Sequence, residues 1–230
     1  DGEIGLMNYH IGTMLIEENF DDNYECPLCR IHKTIDNRLT EQYLGEGVME
    51  DHTRAEVNEL GFCAHHFSLL YSMPSKLGLA LQASTRLKTI MGDFAAPQNA
   101  KQAKKRAEKI LEHKKTCVIC KYLDAHMVRY YKTVAEVYSS RPSFEQTIKG
   151  GKGFCAEHYA KLITYAPYAG TKSKDYLRVL AEVQNARIAE LTQNLLKFCD
   201  RHDYRNAQKP LGDEKYALKD YEQTFYGSKE

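Results

Sequence analysis

Cys26-Pro27-Leu28-Cys29 is followed, after thirty-one residues, by Gly61-Phe62-Cys63-Ala64-His65-His66. The same order returns later: Cys117-Val118-Ile119-Cys120, thirty-two residues, then Gly153-Phe154-Cys155-Ala156-Glu157-His158. Each copy offers three thiols and one imidazole in the order C-x-x-C…G-F-C-x-x-H. Three Cys and one His are the donor set of a closed, tetrahedral, structural zinc shell. The expectation is two Zn2+ per chain, one per copy: Cys26, Cys29, Cys63 and His66 in the first, Cys117, Cys120, Cys155 and His158 in the second.

The spacing suits a metal. Two Cys separated by two residues can turn both sulfurs toward one point, and Pro27 favours a tight turn in the first pair. Cys63 and His66, three apart, share a face if they lie on a helix. At the first turn of that helix the positive dipole end favours the thiolate. Gly61 and Gly153 fit a sharp entry into such a helix. The duplication sharpens the ligand choice. His65 is matched by Glu157 and His32 by Leu123, so neither keeps the pattern, whereas His66 and His158 do. The gap between half-sites has room for a helix going out and a segment returning, so each metal would pin the base of a helical hairpin and contribute directly to folding.

The rest of the chain reads as helix. Residues 4–20 and the run Ile31, Ile35, Leu39, Tyr43 predict helices, the second amphipathic. The acidic stretch before Gly61 predicts a short helix, and residues 63–72 another, which Pro74 interrupts. Leu77, Ala80, Leu81, Ser84, Leu87, Met91 and Phe94 predict the buried face of a long helix. Residues 98–115 are helical and basic. Leu123, Met127, Tyr130, Val134 and Val137 mark a face after the second C-x-x-C, and His126 falls beside it as a core-edge residue. Pro167 repeats the break of Pro74, and Leu177, Leu180, Ile188, Leu191, Leu195 and Phe198 mark a second long helix. Breakers at Asn206, Pro210 and Gly212 precede a last helix over 214–225. Alternating strand patterns and Asn-Gly hairpins are missing. The fold expected is all-α, a helical bundle with two zinc knuckles, internally duplicated. It divides into a first repeat (1–96), a basic connector (97–116), a second repeat (117–205) and a tail helix (206–230).

Length and composition bound the class. The 230 residues are 43% apolar and carry a net charge of +1, enough for a sizeable core and too neutral for global recruitment of nucleic acid or membrane. The longest apolar run is too short to span a bilayer. Six of the seven Cys fall in the two motifs. Thiolates kept for metal point to a reducing compartment, here the cytoplasm. Cys199, in Phe198-Cys199-Asp200-Arg201-His202, echoes the half-site without a partner C-x-x-C and reads as a half-buried helix residue.

These residues resemble a family of uncharacterised bacterial proteins, a domain of unknown function whose members carry C-P-x-C, then G-F-C-x-x-H, then a long helix. The resemblance rests on Cys26 to Cys29, on Gly61, Phe62, Cys63 and His66, and on the tail Phe198 to Asn206 with Asp203-Tyr204-Arg205-Asn206. Val118 departs from it, standing where the first copy has Pro27. The resemblance implies a bacterial, cytoplasmic protein and supports the metal reading; it implies no activity.

Function is less legible. Each donor set is complete, so no open position remains for water or substrate, and H-E-x-x-H, G-x-S-x-G and P-loop motifs are missing. No catalytic residue is named. The acidic residues Glu46, Glu50, Asp51, Glu56 and Glu59 read as solvated surface. The basic run Lys101, Lys104, Lys105, Arg106, Lys109, Lys114 and Lys115 is interrupted by Glu108 and Glu112, so nucleic acid is not the expected partner. Sixteen Tyr and no Trp suit a binding surface. The expectation is a zinc-stabilised binding or regulatory protein whose partner is another protein or a small molecule. The alternative is a redox switch that releases zinc on forming a C-x-x-C disulfide, with Cys199 as a resolving thiol.

Overall fold

The structure, a computed structural model, describes residues 13–20, 26–201 and 212–228. Helices and turns alone occur among the described residues. The helices are α1 (13–19), α2 (Pro27–Leu44), α3 (Asp51–Leu60), α4 (Ala64–Ser72), α5 (Lys76–Ile90) and α6 (Ala100–His113). They continue with α7 (Val118–Ser140), α8 (Phe144–Gly150), α9 (Ala156–Thr164), α10 (Ser173–Arg201) and α11 (Ala217–Tyr226). Short 3-10 turns link several of them. No described helix is long and apolar enough to cross a membrane. Most of the predicted helix over 4–20 and the tail segment Asp203 to Asn206 lie outside the described residues.

The chain forms two compact units, Asp1–Lys33 with Met127–Glu230, and Thr34–His126. They cut across the sequence repeat, since each holds the C-x-x-C of one copy and the G-F-C-x-x-H of the other. Helix lengths supply a reason. From Cys29 to the end of α2 the chain advances about 22 Å, and from Cys120 to the end of α7 about 30 Å, at 1.5 Å per residue. The helices that follow, α3 and α8, span only about 15 and 10 Å. Each G-F-C-x-x-H segment, the hook, accordingly meets the C-x-x-C knuckle of the other copy.

Periodicity placed the cores of α2 and α7 well. Ile31, Ile35, Leu39 and Tyr43 are buried, as are Leu123, Met127, Tyr130, Val134 and Val137. In the first unit Phe20 packs between Phe144 and Phe154, with ring centroids at 5.2 and 6.2 Å. In the second, Tyr43 meets the edge of Phe62, and the buried Gln82 donates from Nε2 to the Tyr43 carbonyl at 2.8 Å.

The long helix α5 corrects its prediction. Leu77 (74% exposed), Leu81, Leu87, Met91 (68%) and Phe94 all reach solvent, and the buried side is formed by Gly78, Leu79 and Gln82. Gly78 lets α5 close on its neighbours: a Cβ there would stand 3.2 Å from Val48 Cγ2. The small residue thus decides which face packs, and the face richer in leucine is left outside. On α10 the outcome is mixed, with Leu180 and Leu191 buried and Leu177 and Ile188 exposed. Cys199 is exposed rather than half-buried.

Candidate metal centres

All eight predicted ligands converge, in two sets that exchange partners between the copies. Cys26 and Cys29 meet Cys155 and His158, while Cys117 and Cys120 meet Cys63 and His66. Within each set one donor atom per residue lies within 4.8 Å of every other. The expectation that each copy closes its own shell is therefore corrected.

Each set is made by two helix N-termini. Cys26 immediately precedes α2 and Cys29 lies in its first turn, where Pro27 is the first helical residue, the one interior position proline accepts without loss. The expected turn is thus the opening turn of a helix, and Cys29 N–H bonds to the Cys26 carbonyl at 3.0 Å. Val118 fills the place of Pro27 at the start of α7. Cys63 and Cys155 cap α4 and α9 in extended conformation, and their carbonyls accept from Phe67 and Tyr159 at 2.9 Å. His66 and His158 follow one turn on. Two positive helix ends therefore face each group of thiols, an arrangement that favours thiolates.

The entry glycines are required. Gly61 and Gly153 have φ of 66° and 84°, the left-handed region that side chains other than glycine avoid. In the first unit the Gln184 side chain holds the hook on both sides, accepting from Phe154 N–H and donating to the Phe154 carbonyl, each at 3.0 Å. In the second unit the hook is tied to the knuckle it meets. Val118 N–H donates to the Gly61 carbonyl at 3.0 Å, and Thr116 Oγ1 donates to the Leu60 carbonyl at 2.6 Å.

The distances fit a tetrahedral ion. His158 Nδ1 stands 3.2–3.4 Å from the sulfurs of Cys26, Cys29 and Cys155. His66 Nδ1 stands 3.3 Å from those of Cys63, Cys117 and Cys120. Sulfur pairs lie at 3.6 Å (Cys29–Cys155) and 3.8 Å (Cys63–Cys120). A tetrahedron with Zn–S of about 2.3 Å and Zn–N of about 2.0 Å has edges of roughly 3.8 Å between sulfurs and 3.5 Å from sulfur to nitrogen. All six motif cysteines are free thiols.

The electrostatics also ask for a cation. Hydrogen bonds from Cys26 and Cys29 hold the Cys155 thiol far below its ordinary pKa, while burial pushes Cys26 well up. Burial alone would lower His158, but its contacts with Cys155 and Cys29 raise it to about 9. In the other set burial opposes ionisation of Cys117, yet the His66 contact and backbone hydrogen bonds bring it down to about 6. His66, likewise opposed by burial, is raised to about 10 by Asp36 and Cys117. One thiol in each set is thus drawn toward the thiolate beside a protonated imidazole, while burial pushes Cys26 and Cys120 up; a dication would take the place of the protons held there. The residues present can hold a metal ion in each set.

The two sets differ. Behind His66 stands Asp36, whose Oδ1 accepts from Nε2 at 2.7 Å, the carboxylate–histidine arrangement common behind metal ligands. Nothing in the sequence marks Asp36 beyond its place one helical turn from His32. His65 points its Nε2 at the same carboxylate from 3.6 Å and is exposed, in line with its exclusion as a sulfur-set ligand. Around His158 lie the rings of Tyr131 and His32, at 6.0 and 6.2 Å. The Cys26 set is also covered by the end of α11: Gly227, at φ 81°, brings its backbone so close that a Cβ would sit 3.4 Å from Cys29 Sγ and 3.6 Å from Cys155 Sγ. Cys26, Cys29 and Cys155 are buried, whereas Cys63 and Cys120 are half-buried.

No curated protein and no solved structure matches the chain. One family, described as a family of unknown function (DUF6062), matches residues 7–229. With nearly its full length matched, the chain belongs to that family.

Proposed function

We propose that each set binds one Zn2+ and that the protein is a helical binding protein fastened by two structural zincs. The observation that supports this most is the completeness of each shell: three sulfurs and one imidazole nitrogen at tetrahedral spacing, with no position left for water or substrate. Cys26, Cys29, Cys155 and His158 would hold one ion, and Cys63, His66, Cys117 and Cys120 the other. A shell of three thiolates and one imidazole selects zinc over the hard cations, which take oxygen donors. Each ion would join two helix starts that are far apart in the chain, so metal binding is folding energy. A reducing compartment such as the cytoplasm suits six metal-held thiols. The partner would be a small molecule or another protein. Elemental analysis beside a thiol count tests the reading: two zincs per chain, with six thiols protected until chelator is added, support it, and a metal-free, folded protein refutes it.

A second reading is favoured by the half-exposed Cys63 and Cys120. With a peroxide as oxidant, two thiolates of that set would give up two electrons to form a disulfide, the peroxide would be reduced to water, and the zinc would leave. Retention of that zinc at stoichiometric peroxide rules this out.

A further inference from the structure

We propose that the second unit binds an anionic amphiphile, a molecule with an apolar chain or ring body and a carboxylate-type head, in a cleft between α3, α4, α5 and α6. This deepens the binding reading above and does not depend on which metal the clusters hold.

The cleft has a volume of about 570 Å³, within the roughly 300–1,000 Å³ of small-molecule sites. Its walls are apolar: Phe62, Phe67, Leu87, Ile90, Phe94 and Ile110. Two of these, Leu87 and Phe94, belong to the apolar face that periodicity assigns to the long helix and that the structure leaves exposed, with Phe94 at 60%. An apolar wall that stays uncovered after folding marks a binding surface. The helix opposite, α6, has no buried residue and turns its half-covered Ile110 and His113 to the cleft.

The polar lining has one sign. Arg86 and Lys114 line the cleft, and no carboxylate does. Arg86 is held in place: Nη1 donates to the Asn58 and Glu59 carbonyls, and Nη2 donates to His113 Nδ1 at 3.0 Å. His113 in turn donates from Nε2 to Asp93 at 2.8 Å. Three of the five N–H groups of the guanidinium are thus engaged, and a ligand carboxylate could take the others. Gln82, 1% exposed, also lines the cleft. Its Nε2 is committed to the Tyr43 carbonyl.

The first unit contains a natural control. A cleft between α10 and α11 includes Arg187, the counterpart of Arg86 beside the entry glycine. There Lys152, Arg187 and Lys219 are balanced by Glu190, Asp213 and Asp220. Its lining is polar and charge-neutral, whereas the second unit's is apolar and cationic.

The test uses the full zinc-loaded chain and a dansyl-labelled undecanoic acid as fluorescent probe, displaced by dodecanoate, dodecanol or dodecyltrimethylammonium. Dodecanoate should displace the probe at concentrations at least about tenfold lower than the ammonium compound. Lys114→Glu, an exposed change, should narrow that preference, and Ile90→Trp, which fills the cleft, should weaken probe binding at least about tenfold. Zinc content and helicity are measured on every sample. Equal displacement by the two charged head groups, unchanged binding in Ile90→Trp, or no probe binding to zinc-loaded protein would each overturn the proposal. None of these results would touch the metal reading, which the zinc content reports separately.

Discussion

Asp36 Oδ1 accepts a hydrogen bond from His66 Nε2 at 2.7 Å while His66 Nδ1 faces three sulfurs at 3.3 Å. The carboxylate fixes which nitrogen carries the proton and leaves Nδ1 free to ligate. Asp36 lies on α2, which Cys26 immediately precedes and whose first turn carries Cys29, both of the other set. Replacing it by alanine should weaken metal binding at the Cys63 set by about 10–100-fold and leave the Cys26 set unchanged. Competition with a chromophoric chelator, read as two separate affinities, measures this. Two equal losses would show that Asp36 acts through general stability instead.

The difference in burial predicts different rates of metal release. Cys63 and Cys120 are half-buried, whereas Cys26, Cys29 and Cys155 are buried and Gly227 lies against two of them. Excess chelator at neutral pH should therefore remove one zinc per chain quickly and the second slowly. In Cys63→Ser only the slow phase should remain. A single phase for both ions would contradict the asymmetry.

Gln184 supports the second hook alone. Gln184→Ala would leave the Phe154 N–H and carbonyl without their partner inside the protein. Each orphaned buried group costs about 1–3 kcal/mol, so a loss of about 2–6 kcal/mol is expected for the two. Thermal unfolding of the zinc-loaded protein, with urea unfolding as a check, measures it. Gln82→Ala should cost less, because only the bond to Tyr43 is lost.

Acid should release both metals, because protons compete with the ion for every thiolate. Lowering the pH should therefore remove zinc and unfold the protein together. If a structural ion holds the fold, zinc release and loss of helicity should share one pH midpoint on titration. Full helicity in zinc-free protein at the same pH would contradict a structural role.

The eight residues that the structure gathers into two clusters were legible because the motif occurs twice, and repetition separated His66 from His65 and set His32 aside. The all-helical fold was legible from period alone in α2 and α7, where Leu, Ile and Val fall on one side. Two things were not. The α5 core face was misassigned because Gly78 and Gln82, neither a hydrophobic signal, decide the packing by close approach and by a hydrogen bond to Tyr43. The exchange of half-sites was hidden because spacing reports only which residues can ligate. Which half-sites meet depends on how far α2 and α7 carry the chain before it turns.

Zinc stoichiometry in two double variants tests the exchange of half-sites between the copies. Cys29→Ser with Cys155→Ser disables one set and should leave one zinc per chain. Cys29→Ser with Cys63→Ser disables both and should leave none tightly bound. If instead the pair at 29 and 63 kept one zinc and the pair at 29 and 155 kept none, each copy would close its own shell, and the arrangement described above would be wrong.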